Sequence, residues 1–167
     1  MNRFFTRTKI GIRTNVNQLK EEYKELMKQY HPDRNITRNS SYNEDIAPQI
    51  TTMYSILKKD GSRCKYLLAQ KGYNLSDTYV QFKLDNHLLE DLMYMSETIE
   101  YEQSKQELDK LQFTLSEQKQ TYLSQLDTLW NNEKYAECLP GVYHISYIER
   151  LEEQLMQKCY ELDIKKC

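Results

Sequence analysis

Four glycines and three prolines are all the backbone punctuation available to this 167-residue chain. With so few breakers most of the backbone can run as long helices, and the breakers mark where helices stop. Pro32 follows an amphipathic stretch, Pro48 opens another, Gly61 and Gly72 close short segments, and Pro140-Gly141 falls late. An all-α fold is therefore expected. Mean hydropathy is −0.84, and the apolar runs fall far below the eighteen or so residues that cross a membrane. A soluble protein with no membrane segment is the expectation.

Apolar spacing places the helices. Asn15 with Gln18 three residues later makes a capping box, and Leu19, Tyr23, Leu26 and Tyr30 then form one stripe. Lys20, Lys24 and Lys28 recur every fourth residue, so their ammonium groups line one solvent face. The residue before a proline avoids helical geometry, which ends this helix by His31. A polar loop of about fifteen residues follows. Asp45 can cap the next helix with Pro48 in its first turn, and Ile50, Met53, Tyr54 and Leu57 form its apolar face. The two helices with matching stripes make an antiparallel pair. Lys58-Lys59-Asp60-Gly61 reads as a stop, Arg63 to Gln70 as one more short helix, and Gly72 and Asn74 close the module.

Helical pattern resumes at Leu84. Leu88, Leu92, Met95 and Ile99 form one stripe, with Leu89 and Met93 beside it. A second stripe runs from Leu108 through Leu111, Leu115, Tyr122, Leu126 and Leu129 and ends near Asn131-Asn132. A third uses Ile145, Ile148, Leu151, Leu155 and Leu162. Three such helices suit an antiparallel bundle. Pro140-Gly141 would break a helix running straight from Lys134, so a short turn is expected there, with the long helix starting near Pro140. The expected modules are 1–72, a linker 73–83, and a bundle 84–167.

Charge divides along the same line. Residues 1–70 carry a balance of +6 and residues 71–167 a balance of −8. Such segregation suggests two modules with different partners. The basic half is interleaved with Glu21, Glu22 and Glu25 and carries no nucleic-acid motif, so an acidic protein partner fits better than nucleic acid. Cys64, Cys138, Cys159 and Cys167 are scattered without a CxxC pair, which argues against zinc and against a disulfide framework. Arg3, Arg7, Lys9 and Arg13 precede the first acidic residue, Glu21, as in an organellar transit segment. Phe4, Phe5 and Ile10 equally suit a first helix or strap packed on the domain.

His31-Pro32-Asp33 sits at the tip of the helical hairpin. Pro32 stiffens the turn and removes an amide donor, and Asp33 presents a carboxylate suited to an arginine on a partner. Alone the tripeptide is an ordinary turn. In context, Tyr30-His31-Pro32-Asp33-Arg34, Ile50…Met53-Tyr54…Leu57-Lys58, Arg63-Cys64-Lys65-Tyr66-Leu67-Leu68 and Gly72 resemble a J-domain. With the acidic helical module and its His87-Leu88-Leu89-Glu90-Asp91-Leu92, the chain resembles the HscB-type co-chaperones of iron–sulfur cluster assembly from about Asn15 onward. The resemblance implies that His31, Pro32, Asp33 and Arg34, with Lys20, Lys24 and Lys28, dock on a DnaK/HscA-type chaperone and stimulate its ATPase.

It further implies that the bundle recruits an IscU-type iron–sulfur scaffold protein through Leu88, Leu89, Leu92 and Tyr147. Leucines at helical spacing also suit a core, so Leu88 and Leu92 stand open between the two roles. The chain departs from the family at Met93 and Ser96, where acidic residues are interleaved, while Glu97 and Glu100 remain. The amino-terminal zinc-binding cysteine pairs of some animal members are absent, and neither a metal nor a cofactor is implied. A mitochondrion or mitochondrion-related organelle is the expected compartment, with the cytoplasm as the alternative.

Two competitors are weighed against this. An enzyme would read His31 and Asp33 as a general-base dyad, but residues two apart across a rigid proline diverge, and no nucleophile elbow, phosphate loop or ligand cluster is present. His87 and His144 lie on expected helices as surface or packing residues. A J-domain protein with a different client, or a helical adaptor with no chaperone role, is the other. There the bundle could be a coiled-coil adaptor or a general holder of unfolded chains, and such a holder would show a long groove or a glycine-rich linker. The chain has neither.

Overall fold

The computed structural model describes residues 4–30, 46–73 and 86–164, except for the side chains of 86–89 and 164. Every long element among them is helical: α1 Val16–Tyr30, α2 Ile46–Lys58, α3 Asp60–Gln70, α4 Asn86–Tyr101, α5 Lys105–Asn131 and α6 Leu139–Ile164, with a 3-10 turn at Tyr135–Cys138 before α6. The chain divides into two compact units, Met1–Gly72 and Tyr73–Cys167.

In the first unit α1 and α2 lie antiparallel. Tyr23 stacks on Tyr54 with ring centroids 4.1 Å apart, and Thr51, one turn earlier on α2, meets Met27, one turn later on α1. Leu19, Ile50 and Leu57 are fully buried between the helices, as the apolar stripes require. Asn15 caps α1, its Oδ1 accepting the amides of Asn17 and Gln18, each at 3.1 Å. The reciprocal half of the capping box is missing: the Gln18 side chain donates instead to the Arg7 carbonyl at 3.1 Å. Asp45 lies outside the described residues, as does the segment 74–85 that holds most of the linker.

Residues 4–14 form an ordered strap on this unit. Phe5 and Ile12 are buried, Phe5 joins the cluster of Leu19, Ile50 and Leu57, and Phe4 and Ile10 pack against it. The stop expected at Lys58 to Gly61 is only one residue long. Lys59 adopts an extended conformation and α3 begins at Asp60, with Gly61 buried in its first turn. Gly72 ends α3 with φ of +86°, a left-handed geometry that costs glycine little.

The second unit is a bundle of α4, α5 and α6. Leu92, Ile99, Leu115, Ile148, Leu151 and Leu155 form its core. Lys119 on α5 pairs with Glu152 on α6. A 3-10 turn does precede the last helix, and Leu139 leads it with Pro140 as its second residue, where the missing amide is no loss. Gly141 lets α5 come close: a Cβ there would lie 2.9 Å from Leu126 Cδ2.

Candidate functional site

The lysines of α1 take the positions their spacing implies. Lys20, Lys24 and Lys28 are all exposed. Lys24 pairs with Glu21 at 2.7 Å. That hydrogen bond and charge, followed by the charges of Lys20 and Lys28, hold the Glu21 carboxyl below its ordinary value despite some desolvation. The helix runs to Tyr30, so the tripeptide begins at the very next residue. His31, Pro32, Asp33 and Arg34 themselves lie outside the described residues.

Two buried charges fix the strap to the helices. The Glu22 carboxylate accepts the amides of Thr6, Arg7 and Thr8 at 2.8–2.9 Å and the Thr8 hydroxyl at 2.7 Å. Burial pushes this carboxyl up, but the Thr8 hydroxyl and the three strap amides together outweigh it and hold it below its ordinary value. Arg63 is 1 % exposed. It donates to the carbonyls of Gly11 at 3.1 Å, Leu57 at 2.9 Å and Ile12 at 2.8 Å, and it pairs with Asp60. One guanidinium thus joins the strap, the end of α2 and the start of α3. Sequence reasoning assigned no role to Glu22 or Arg63, because most of their partners are backbone groups, many of them far away along the chain.

On the bundle, Leu88 and Leu89 fall in the first turn of α4, and their side chains lie outside the described residues. Leu92 needs a correction. It is 4 % exposed and belongs to the core, so it offers little surface to a partner. The helical period explains this, since Leu92 shares its face with Ile99 one heptad on. Met93, one residue further round the helix, is 57 % exposed and Tyr94 71 %; these apolar side chains are available where Leu92 is not. Tyr147 on α6 is half-buried against the same core. Further along the same two helices a groove of about 500 Å³ runs between α4 and α6, lined by Ser96, Ile99, Glu100, Gln154 and others. Ser96 bonds Gln154 across it at 3.3 Å, and Lys158 donates to the Glu100 carbonyl. This seam can hold a polypeptide and has no constellation for bond chemistry.

His144 is packed against Tyr122, ring centroids 4.6 Å apart, with neither ring nitrogen hydrogen-bonded, and burial lowers its pKa. Among the described residues no group of three or more His, Cys, Asp or Glu could hold a metal ion, and no helix is long and apolar enough to cross a membrane.

Comparison with known proteins agrees with both units. The DnaJ domain model matches residues 9–66. The co-chaperone protein HscB homolog of Aliivibrio fischeri is 27 % identical over 143 residues, covering 81 % of this chain and 83 % of that one. The structure of the chaperone HscB from Vibrio cholerae superposes with a TM-score of 0.76 at 20 % identity, over 92 % of this chain and 94 % of that one. Human co-chaperone protein HscB gives 0.70 at 18 %, over 90 % and 77 %. With a J-domain hairpin whose lysines face outward, a separate helical bundle, and relatives matched across both, the chain is an HscB-type J-domain co-chaperone, the partner of an Hsp70-type chaperone.

Proposed function

We propose that the J-domain docks on a DnaK/HscA-type chaperone through Lys20, Lys24, Lys28 and the His31-Pro32-Asp33-Arg34 turn, and that docking favours ATP hydrolysis. The observation that carries this reading is the exposed lysine row on a helix that runs to the residue before the tripeptide. Asp33 supplies the carboxylate for a charge-assisted pair with the partner. The bundle delivers an IscU-type iron–sulfur scaffold protein, bound by Leu88, Leu89 and Tyr147, with exposed Met93 four residues on from Leu89. A few anchors of this kind carry most of the energy of an interface. The chain acts by binding and does not itself catalyse a reaction.

The decisive experiment adds the purified chain to a matched chaperone and follows steady-state ATP hydrolysis. Stimulation lost in Asp33→Asn supports the docking reading, and an unchanged mutant removes the tripeptide from the mechanism. For the client, Leu89→Ala with Tyr147→Ala is expected to weaken scaffold capture while leaving client-free stimulation intact. Anchor truncations of this sort cost about 1–4 kcal/mol, readily measured by calorimetry.

A mitochondrion or mitochondrion-related organelle is the compartment we assign, on the basic run Arg3, Arg7, Lys9 and Arg13. Phe5, Thr8 and Ile12 are built into the folded unit, so an import signal in this run would have to be read before folding and kept from Phe5 onward. Fractionation with sequencing of the N-terminus tests this, and a chain found wholly in the cytoplasm overturns it.

A further inference from the structure

Arg7 belongs to the basic run before Glu21, where a transit segment needs only its charge. The fold gives it a fixed direction. Its amide donates to Glu22 at 2.9 Å and its carbonyl accepts from Gln18 at 3.1 Å, so the backbone is held against α1 from both sides. The guanidinium then engages Glu25 and lies 3.9 Å from Glu22.

Glu25 follows Lys24 and lies three residues before Lys28, so it flanks the lysine row. Carboxylates three or four residues from a lysine on a helix are its natural partners. Glu21 is already held by Lys24. Glu25 is drawn the other way, toward the strap.

We propose that Arg7 is a positioning residue for chaperone docking, holding Glu25 so that this carboxylate does not neutralise the Lys20, Lys24 and Lys28 row. The inference rests on the reading that this row docks on the chaperone, and it requires an acidic surface there. An exposed pair such as Arg7 and Glu25, each 58 % exposed, adds little to folding stability. Its effect is on the local potential, which acts within a Debye length of about 10 Å at 0.1 M salt. Charges at the rim of an interface alter encounter and salt dependence in this way.

The test titrates the full chain against the chaperone and separates the concentration for half-maximal stimulation from the maximal rate. Arg7→Ala is expected to raise that concentration about threefold at low salt with the maximum unchanged, the difference fading toward about 0.5 M salt. Arg7→Lys should retain most of the affinity. Arg7→Ala with Glu25→Gln should return to the native value, since the carboxylate is gone as well. Glu25→Gln alone leaves the strap intact and should tighten docking. An unaffected Arg7→Ala, or a double variant as weak as Arg7→Ala, overturns the proposal; the latter would make Arg7 a direct contact. No tightening in Glu25→Gln overturns it too. If Lys20→Ala with Lys28→Ala leaves stimulation unaltered, the docking reading itself falls. If those lysine variants fail while Arg7→Ala behaves normally, only the role of Arg7 falls.

Discussion

Thr8 gives both of its hydrogen-bond donors to one oxygen of Glu22, the amide at 2.9 Å and the hydroxyl at 2.7 Å. Thr6 and Arg7 give their amides to the other oxygen. A carboxylate side chain 4 % exposed is thereby satisfied by a segment fourteen to sixteen residues earlier, and the strap is registered on α1.

Glu22→Gln keeps the shape but loses the charge and turns one acceptor into a donor facing amides. The expected cost is about 2 kcal/mol in urea unfolding near neutral pH. Because the folded carboxyl lies below its ordinary value of 4.5, its contribution is full above that value and is lost as pH falls through the lower folded one. The difference between native and variant chains should therefore shrink in acid. A constant difference down to about pH 3 would disprove this account.

Arg63 spreads its donors over three carbonyls and Asp60. A lysine ammonium is a compact point charge and cannot span that fork. Arg63→Lys is expected to destabilise the J-domain by about 3 kcal/mol or more, because carbonyls and a buried cation lose their partners together. Thermal unfolding would show it, and a variant melting with the native chain would mean the carbonyls find water.

Leu92 and Met93 are neighbours with different roles. Leu92→Ala opens a cavity in the core and should cost about 2–5 kcal/mol, while Met93→Ala should change stability by about 0.5 kcal/mol or less. Scaffold capture is expected to fail in Leu92→Ala only as far as the bundle unfolds. Impaired capture by a Leu92→Ala chain of native stability would return Leu92 to the interface.

Gly141 faces Leu126, which is 1 % exposed, and a Cβ there would meet its Cδ2 at 2.9 Å and its Cγ at 3.2 Å. Replacing glycine inside a helix ordinarily stabilises it. Gly141→Val should instead cost about 1–3 kcal/mol through overpacking. Shortening the opposing side chain with Leu126→Ala in the same chain should make the two effects non-additive. Simple additivity in chemical unfolding would refute the contact.

His144 is half-buried, with both ring nitrogens shielded and without hydrogen bonds, and burial lowers its pKa from the ordinary 6.5. The folded bundle therefore disfavours the protonated ring. Its stability is intact above 6.5 and declines as pH falls below that value toward the lower folded pKa. His144→Phe keeps a ring against Tyr122, should raise stability, and should flatten the slope between about pH 7.5 and 5.5. An unchanged slope would place the titrating group elsewhere.

Much of the fold was legible because it is written in local periods. Leu19, Tyr23, Leu26 and Tyr30 bury one side of α1, and Ile50 and Leu57 bury one side of α2, as 3.6-residue spacing demands. Asn15 announced its helix because its oxygen reaches amides two and three residues on. Leu92 was open between two roles because a stripe of leucines has the same spacing whether it faces a core or a partner. Only the packing of α4 against the other two helices separates Leu92 from Met93.

The helices, their order, the lysine row and the place of His31-Pro32-Asp33 were readable from side chains alone, because residues within a few positions of one another set them. Tertiary structure alone decided that residues 4–14 are a strap, that Glu22 and Arg63 hold it, and that Arg7 turns toward Glu25. Those contacts join groups from fourteen to fifty-two residues apart, and most of their acceptors or donors are backbone atoms. Backbone amides and carbonyls are the same at every position, so no pattern of side chains could reveal which of them a buried charge would find.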